Sequence, residues 1–209
     1  MIILIANYKG GSGKSTLAFN LSLWLKTKNI KVTVFDLDPQ KTLTDVCNIR
    51  IEDEVEPSIT IENDVTKLEA CALDDSIYVL VDVGVSDMEA MKKAISLADK
   101  IVIPVPPSQP DVWATHRFIK IINEIRGNSV PKILAFINRA DTHKDIRESD
   151  EAEEALRTIG SINVLTPRLC QRTIFRRTLS EGLAVFELEK NSKGANEFEQ
   201  LSQAVFGNL

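Results

Sequence analysis

A glycine-rich segment near the start of the chain has the residue types that bind phosphate. Residues 9–16 read Lys-Gly-Gly-Ser-Gly-Lys-Ser-Thr and follow a short apolar run. Glycines let the backbone wrap closely around an anion, so that several N–H groups point at phosphate oxygens. The Lys14 ammonium suits the β- and γ-phosphates, and the Ser15 hydroxyl is placed to ligate Mg²⁺. The segment predicts a site for ATP with Mg²⁺, built from Gly10, Gly11, Ser12, Gly13, Lys14, Ser15 and Thr16.

The same segment begins with a second lysine, Lys9. Two ammonium groups so close in sequence repel each other unless phosphates lie between or beyond them. Tyr8 stands where the common phosphate loop begins with glycine. Lys9 is therefore either an additional phosphate ligand or a solvated surface lysine.

Three carboxylates close predicted strands and suit a magnesium site. Asp36 and Asp38 end one strand, and alternation places both on the same side of it. Two carboxylates there suit a magnesium shell or the orientation of an attacking water. Asp82 ends the apolar run IYVLVDV, where it would hold Mg²⁺ through water. The alternatives are a loop or capping role for Asp36 and a helix cap for Asp82.

Asn138 closes a further apolar run, and Arg139 follows it. A side-chain amide donates and accepts at once, which matches the edge of adenine. We therefore predict that Asn138 reads the base and that Arg139 flanks it. A plain turn residue at the end of a strand is the alternative for Asn138.

The elements that must position these residues follow an alternating pattern. Unbroken Val/Ile/Leu runs between helical stretches are typical of a parallel sheet covered on both faces. We predict one doubly wound, mostly parallel α/β sheet of the P-loop NTPase class, in a single domain over residues 1–209. Residues 52–75 have no readable periodicity. The predicted strands are 2–7, 31–35, 77–83, 100–105, 132–138 and 162–165; the predicted helices are 14–28, 87–98, 111–125, 145–159, 171–181 and 194–206.

Composition limits the function classes. The chain has 209 residues, 44% of them hydrophobic and 26% charged, which suits one globular domain. No apolar run is long enough for a membrane span, and no secretory signal is visible. Three scattered cysteines indicate free thiols in the cytoplasm. A formal charge of −5 argues against a general polyanion binder, so any nucleic-acid contact needs a local basic patch.

One such patch is predicted late in the chain. Arg168, Arg172, Arg176 and Arg177 lie close together, with only Glu181 opposing them. Arg172 and Arg176 are four residues apart and would share a helix face. Arginine suits phosphate contacts that read no sequence, so nonspecific DNA is the predicted ligand. A solvated helix face and intramolecular salt bridges are the alternatives.

The C-terminal stretch argues against membrane docking. A membrane-surface helix needs a basic face. Residues 197–209 have Glu197 and Glu199 but no lysine or arginine. We expect Phe198, Leu201, Val205 and Phe206 to pack on the domain instead.

The runs KGGSGKST and DLDPQ and the strand ending in Asp82 resemble the deviant Walker A ATPases of the ParA/MinD family. Most of the chain is similar to them, and the small partition type similar to ParF is the nearest in kind. Most relatives have a Pro-Pro pair two residues after that aspartate, where this chain has Gly84 and Val85, but ParF-like proteins also have glycine there.

The resemblance implies residue roles. The residue matching Lys9 reaches across an ATP-sandwich dimer to the phosphates of the other copy, and that matching Asp38 activates the hydrolytic water. Asp36 and Asp82 match magnesium-shell residues, and Asn138 matches an adenine-reading position. Pro167 begins a similar run toward Gly182 and is predicted to contact the nucleotide.

The resemblance also implies a cycle. ATP would drive formation of a homodimer that binds nonspecific DNA on the nucleoid, and a small centromere-binding protein would stimulate hydrolysis to segregate plasmid or chromosomal DNA. Some relatives also polymerise with ATP. A positioning ATPase with a non-DNA cargo and a metabolic P-loop ligase similar to dethiobiotin synthase are the alternatives. The ligase would not need Lys9.

Overall fold

The computed structural model describes residues 1–74, 76–143 and 146–207. The strands form one sheet, and every strand pair in it is parallel. In chain order the strands are β1 (Ile2–Ile5), β2 (Val32–Leu37), β3 (Ile61–Glu62), β4 (Tyr78–Val83), β5 (Lys100–Val105), β6 (Lys132–Ala140), β7 (Asn163–Val164) and β8 (Leu169–Cys170). Across the sheet the order is β3-β2-β4-β1-β5-β6-β7, with β8 beside β6.

Helices cover both faces of the sheet. They are α1 (Lys14–Thr27), α2 (Thr42–Glu52), α3 (Leu68–Cys71), α4 (Met88–Leu97), α5 (Gln109–Arg126), α6 (Glu148–Arg157), α7 (Thr173–Glu181), α8 (Val185–Leu188) and α9 (Lys193–Phe206). The core on one face contains side chains of α4, α5 and α6, and the core on the other contains those of α1, α2, α7 and α9.

Both faces are apolar because alternate strand residues enter opposite cores. In β1, Ile2 and Leu4 belong to one core, and Ile3 and Ile5 belong to the other. This explains the unbroken apolar strands. The predicted fold class, a parallel α/β sheet of the P-loop NTPase type with helices on both faces, is confirmed.

The register of the central strands brings the predicted site residues together at the carboxyl ends of the strands. Ile5 of β1 is level with Asp82 of β4, which is level with Asp36 of β2. Ligands bind beyond the carboxyl ends of parallel strands, at the point where the phosphate loop leaves β1.

Several predicted boundaries differ from the structure. The strand predicted over 132–138 continues to Ala140. The strand predicted over 100–105 has the predicted bounds and contains Pro104. β1 has ended by that point, so the missing N–H of Pro104 breaks no bond to β1. The helix predicted from residue 145 is α6, and both its predicted first residue and Asp75 lie outside the described residues.

The C-terminal helix packs as expected. Phe198, Leu201 and Val205 of α9 are buried, and the Phe206 ring stacks on Trp24 with centroids 5.4 Å apart. Throughout the described ranges, every helix is too short or too polar to cross a lipid bilayer.

Candidate nucleotide and magnesium site

The phosphate loop joins β1 to α1. Gly11 and Gly13 have φ angles of 77° and 91°, in the left-handed region that favours glycine. A Cβ atom on Gly13 would lie 2.5 Å from Nδ2 of Asn138. This amide donates a hydrogen bond of 2.7 Å to the Ser12 carbonyl, so Asn138 braces the loop from β6.

The start of α1 is open to an anion. Gly13 precedes the helix and supplies no side-chain cap, and the first turn has no acidic residue. The first N–H groups of the helix and its positive dipole end therefore face the loop. The Lys14 side chain is buried in the same place and forms no ion pair with the described residues. This arrangement suits a phosphate group.

Asp82 is a buried carboxylate with no hydrogen-bond partner among the described residues. Burial raises its pKa to about 7, and the nearby Ser15 and Lys14 oppose the rise. The Ser15 hydroxyl is close enough to the Asp82 carboxylate to lower its pKa, although the angles between the two groups are not those of a hydrogen bond. Such an unsatisfied carboxylate requires a cation or water to complete it, and Mg²⁺ with its retained waters fits Asp82 and Ser15.

Asp36 has different surroundings. Its Oδ2 atom accepts hydrogen bonds from the Thr44 backbone N–H at 2.8 Å and from the Thr44 hydroxyl at 2.7 Å. Its Oδ1 atom accepts from the Asp38 N–H at 3.2 Å. These bonds hold the first turn of α2 against β2. The remaining lone pairs leave room for a contact to the ion through water, which keeps the predicted metal role of Asp36 a prediction.

Asp38 lies beyond the end of β2 and lines an open pocket with the phosphate loop. Asp38 is the first residue after β2, which ends at Leu37, and its carbonyl accepts from the Lys41 N–H in the turn that follows. That it shares one side of the strand with Asp36 stays a prediction. Asp38 Oδ1 accepts from the Gln40 N–H at 2.9 Å. A Cβ atom on Gly84 would lie 2.8 Å from the Asp38 Cγ, so glycine at this position permits the carboxylate to approach β4.

The open pocket brings together most of the predicted phosphate residues. Its volume is about 420 Å³. The predicted residues that line it are Gly10, Gly11, Gly13, Lys14, Ser15, Thr16, Asp38 and Arg139.

Lys9 points away from this pocket. Its ammonium donates to Oδ2 of Asp111 on α5 at 2.8 Å, and its side chain is 45% exposed. Asp111 is nearly buried and also accepts from the Ser108 hydroxyl. The Lys9 ammonium is therefore held by α5, which covers the opposite face of the sheet from α1.

A smaller cavity of about 210 Å³ adjoins the phosphate pocket. The two share Gly13, Thr16 and Arg139, and Asn138 lines the smaller one. Arg139 has a φ of 59°, which turns the chain sharply near the end of β6. The cavity has the position and the mixed lining expected for a base and ribose.

The family of the chain follows from its sequence. The family described as the CobQ/CobB/MinD/ParA nucleotide binding domain matches residues 3–185. The chain belongs to this family. It is a ParA/MinD-type ATPase of the kind that acts in partition or positioning.

Relatives of this ParA/MinD-type ATPase include two curated proteins. The chain is 29% identical over 208 residues to "Maintenance of carboxysome distribution protein A" of Halothiobacillus neapolitanus, covering 97% of this chain and 95% of that protein. It is 33% identical over 128 residues to "Protein ParA" of Rhizobium radiobacter, covering 59% and 56%.

Solved structures show the same fold. Apo McdA of Cyanothece has a TM-score of 0.79 at 21% identity, covering 97% of this chain and 98% of that one. The MinD protein of Pyrococcus horikoshii, solved with Mg-ADP, has a TM-score of 0.73 at 19% identity, covering 99% and 96%.

Part of the smaller cavity that adjoins the phosphate pocket was not found from the sequence. The predicted Pro167 does not line it, because the chain enters the cavity two residues later, at β8. Leu169, Cys170, Thr173 and Phe175 line it and were missed. A two-residue strand has no periodicity to detect, although its position after a short apolar run was a usable signal.

The four arginines of the predicted basic patch are opposed by more carboxylates than Glu181, so that part of the prediction is wrong. Three of the four arginines form ion pairs, and only Arg176 has none with the described residues. Arg172 precedes α7 and so does not share its face. The ion pairs join Arg168 to Asp150 and Glu153, Arg172 to Glu197, and Arg177 to Glu181 and Glu189.

Proposed function

We propose that this ATPase is a dimer switch for partition or positioning, in which Lys9 of each copy reaches the phosphates bound to the other. The position of Lys9 carries this proposal. It belongs to the phosphate loop, yet its ammonium lies on Asp111 and outside the pocket that Lys14 enters. A lysine directed away from its own nucleotide is suited to a nucleotide held by a second copy.

Within each copy, the buried Lys14 and the N-terminus of α1 would bind the β- and γ-phosphates. Ser15 and Asp82 would hold Mg²⁺, which neutralises charge on the phosphates when bound. Asp38 would accept a hydrogen bond from the attacking water and orient it. The Gln40 N–H and the absence of a side chain on Gly84 fix the position of the Asp38 carboxylate.

The Lys9–Asp111 pair would define the resting state. Lys9 is half exposed, so the ion pair contributes at most about 1 kcal/mol and breaks readily. The nearly buried Asp111 keeps its hydrogen bond from Ser108 after Lys9 leaves. ATP in a second copy would offer Lys9 a more highly charged partner, which favours dimerisation.

The cargo we propose first is DNA, with nonspecific DNA as the track and a small centromere-binding protein as the stimulator. The resemblance of the phosphate loop and strand ends to ParA proteins supports this proposal. Because three of the four arginines are already paired, Arg176 is the residue from this group that we retain for DNA contact.

A second candidate is the positioning of a protein compartment. The observation that favours it is the alignment with a carboxysome distribution protein over 97% of this chain. Both candidates use the same switch and differ in the partner. The metabolic ligase is disfavoured because it gives Lys9 no role.

Sedimentation velocity with a non-hydrolysable ATP analogue and Mg²⁺ tests the switch. The parent chain is expected to dimerise, and Lys9→Ala is expected to remain monomeric while binding the analogue with unchanged affinity. Lys26→Ala, at the far end of α1, is the control and should dimerise like the parent. A Lys9→Ala protein that dimerises normally would contradict the proposal.

A further inference from the structure

A groove of about 650 Å³ runs between α5 and the end of α6. Val112 and Ile119 of α5 and Ile159 after α6 form apolar walls. Trp113 stands on the rim with 55% of its surface exposed. Tryptophan is one of the residue types enriched among those that dominate the binding energy of protein–protein interfaces, and exposed apolar patches mark such interfaces.

Among the residues that the structure describes, those lining the α5–α6 groove include basic side chains and no acidic ones. His116 and Lys120 line it, and neither is in an ion pair with the described residues. A groove lined by basic side chains is unusual in a chain with a formal charge of −5. It is the more unusual because the neighbouring helix α6 has three acidic residues in its first turn. The basic end of the groove is therefore complementary to carboxylates.

The charge changes sign along the surface. Gln109 lies at one end of the α5–α6 groove and also lines a second depression, whose walls include Glu148 and Glu151 of α6. From Gln109 to Asn123 the helix rises about 21 Å, which matches about seven extended residues. The surface thus has the length for a short peptide, with an acidic region at one end and a basic region at the other.

We propose that the α5–α6 groove binds a short segment of a partner protein that has an apolar side chain between a carboxylate and a basic group. The apolar side chain packs against Trp113 and Ile159, the carboxylate meets Lys120, and the basic group meets Glu148 and Glu151. DNA fits this surface less well, because the carboxylates at one end repel phosphates and the apolar walls gain nothing from a nucleic-acid backbone.

The position of the groove gives the segment a route to the ATP cycle, and this step rests on the dimer switch proposed above. The helix that forms one wall of the groove also contains Asp111, which holds Lys9. Asp111 and Trp113 are on opposite sides of α5, so a segment bound at Trp113 acts on the same helix without blocking Lys9.

Fluorescence anisotropy of labelled peptides tests the proposal on the full chain without nucleotide. The probes are two blocked peptides of about eight residues, with Leu-Phe in the middle, two Asp on one side and two Lys on the other, in both orders. One order is expected to bind and to shift the Trp113 emission to shorter wavelength. Trp113→Ala and Lys120→Glu should each weaken binding at least about tenfold.

Lys193→Glu is the matched control, because it makes the same charge change on α9, on the other face of the sheet. It should bind the peptide like the parent. The proposal would be overturned if neither peptide bound up to about 1 mM. It would also be overturned if Trp113→Ala and Lys120→Glu bound the peptide as tightly as the parent chain, or if short duplex DNA displaced the peptide. Self-association of the nucleotide-free chain that Trp113→Ala abolishes would also overturn it, since a second copy would then cover the groove.

The peptide experiment is independent of the dimer switch. Dimerisation of Lys9→Ala would refute the switch and leave peptide binding intact. A monomeric Lys9→Ala together with no peptide binding would refute the α5–α6 groove alone.

Discussion

The ammonium of Lys9 lies 2.8 Å from Oδ2 of Asp111, a residue 102 positions later in the chain. One partner is half exposed and the other is nearly buried. The carboxylate is therefore fixed while the lysine is able to leave, and this asymmetry suits a contact that must be exchanged for another.

Removing the charge of Asp111 should favour the ATP-bound dimer. In Asp111→Asn the amide still accepts from Ser108 but no longer holds Lys9 by charge. Loss of about 0.5–1 kcal/mol per copy predicts a dimer dissociation constant lower by roughly five- to thirtyfold. Sedimentation with a non-hydrolysable ATP analogue measures it. Glu89→Gln, an exposed residue paired with Lys92, is the control. A weaker or unchanged Asp111→Asn dimer would show that Asp111 does not restrain Lys9.

Adding a methyl group at Gly84 should slow hydrolysis. The new Cβ atom would meet the Asp38 carboxylate at 2.8 Å, so the carboxylate must move. We expect turnover to fall by at least about tenfold in Gly84→Ala with ATP affinity nearly unchanged. Asp38→Ala should show a similar loss, and the double variant should lose little more, because both changes affect one group. Gly160→Ala, where a new Cβ atom would have none of the described residues within 4 Å, is the control. Full activity in Gly84→Ala would exclude a precise role for Asp38.

The parts of the site that could be predicted are those whose residues are consecutive in the sequence or directly follow a recognisable strand. The phosphate loop and Asp82 follow apolar strands directly, and a parallel sheet brings strand ends together. The contacts that decide their roles join distant residues. Lys9 with Asp111, Asp38 with Gly84, and Asn138 with the Ser12 carbonyl become neighbours only after folding.

The helix α2 was missed for a different reason. Its apolar pattern is interrupted by Arg50, which is fully buried and reads as a surface residue. The guanidinium donates to the Gly182 carbonyl at 2.9 Å and pairs with Glu187 at 2.8 Å. A buried arginine is tolerated because these distant groups satisfy it, and no local pattern reveals them.

Arg176 should contribute more to DNA binding than its neighbour Arg177. Arg177 is already paired with Glu181 and Glu189, whereas Arg176 is exposed and pairs with none of the described residues. Arg176→Gln should weaken ATP-dependent DNA retention and lower the salt slope by about one for each DNA phosphate that is no longer neutralised, and Arg177→Gln should change both less. ATP affinity must be measured in parallel, since Arg176 also lines the smaller cavity that adjoins the phosphate pocket. An unchanged slope in Arg176→Gln would place the DNA-binding surface elsewhere.

The pH dependence of stability should report on Asp82. Burial raises its pKa from 3.8 to about 7 in the folded chain, so between these values the folded state binds a proton that the unfolded state has lost. The free energy of unfolding contributed by this group therefore falls as pH rises from about 4 to about 7. A shift of about three units corresponds to about 4 kcal/mol.

Asp82→Asn removes this cost because the amide does not ionise. Denaturant unfolding in EDTA without nucleotide should show the variant more stable than the parent at pH 8, by up to about 4 kcal/mol, with a difference near zero at pH 4. The same variant should bind Mg²⁺ with ATP less well at pH 8, because the ionised carboxylate is the form that attracts the hydrated cation. Asp87→Asn, a helix cap on the same strand-to-helix connection, should show no such rise in relative stability with pH. A stability difference between Asp82→Asn and the parent that is equal at pH 4 and pH 8 would mean that Asp82 is ionised in the folded chain throughout this range.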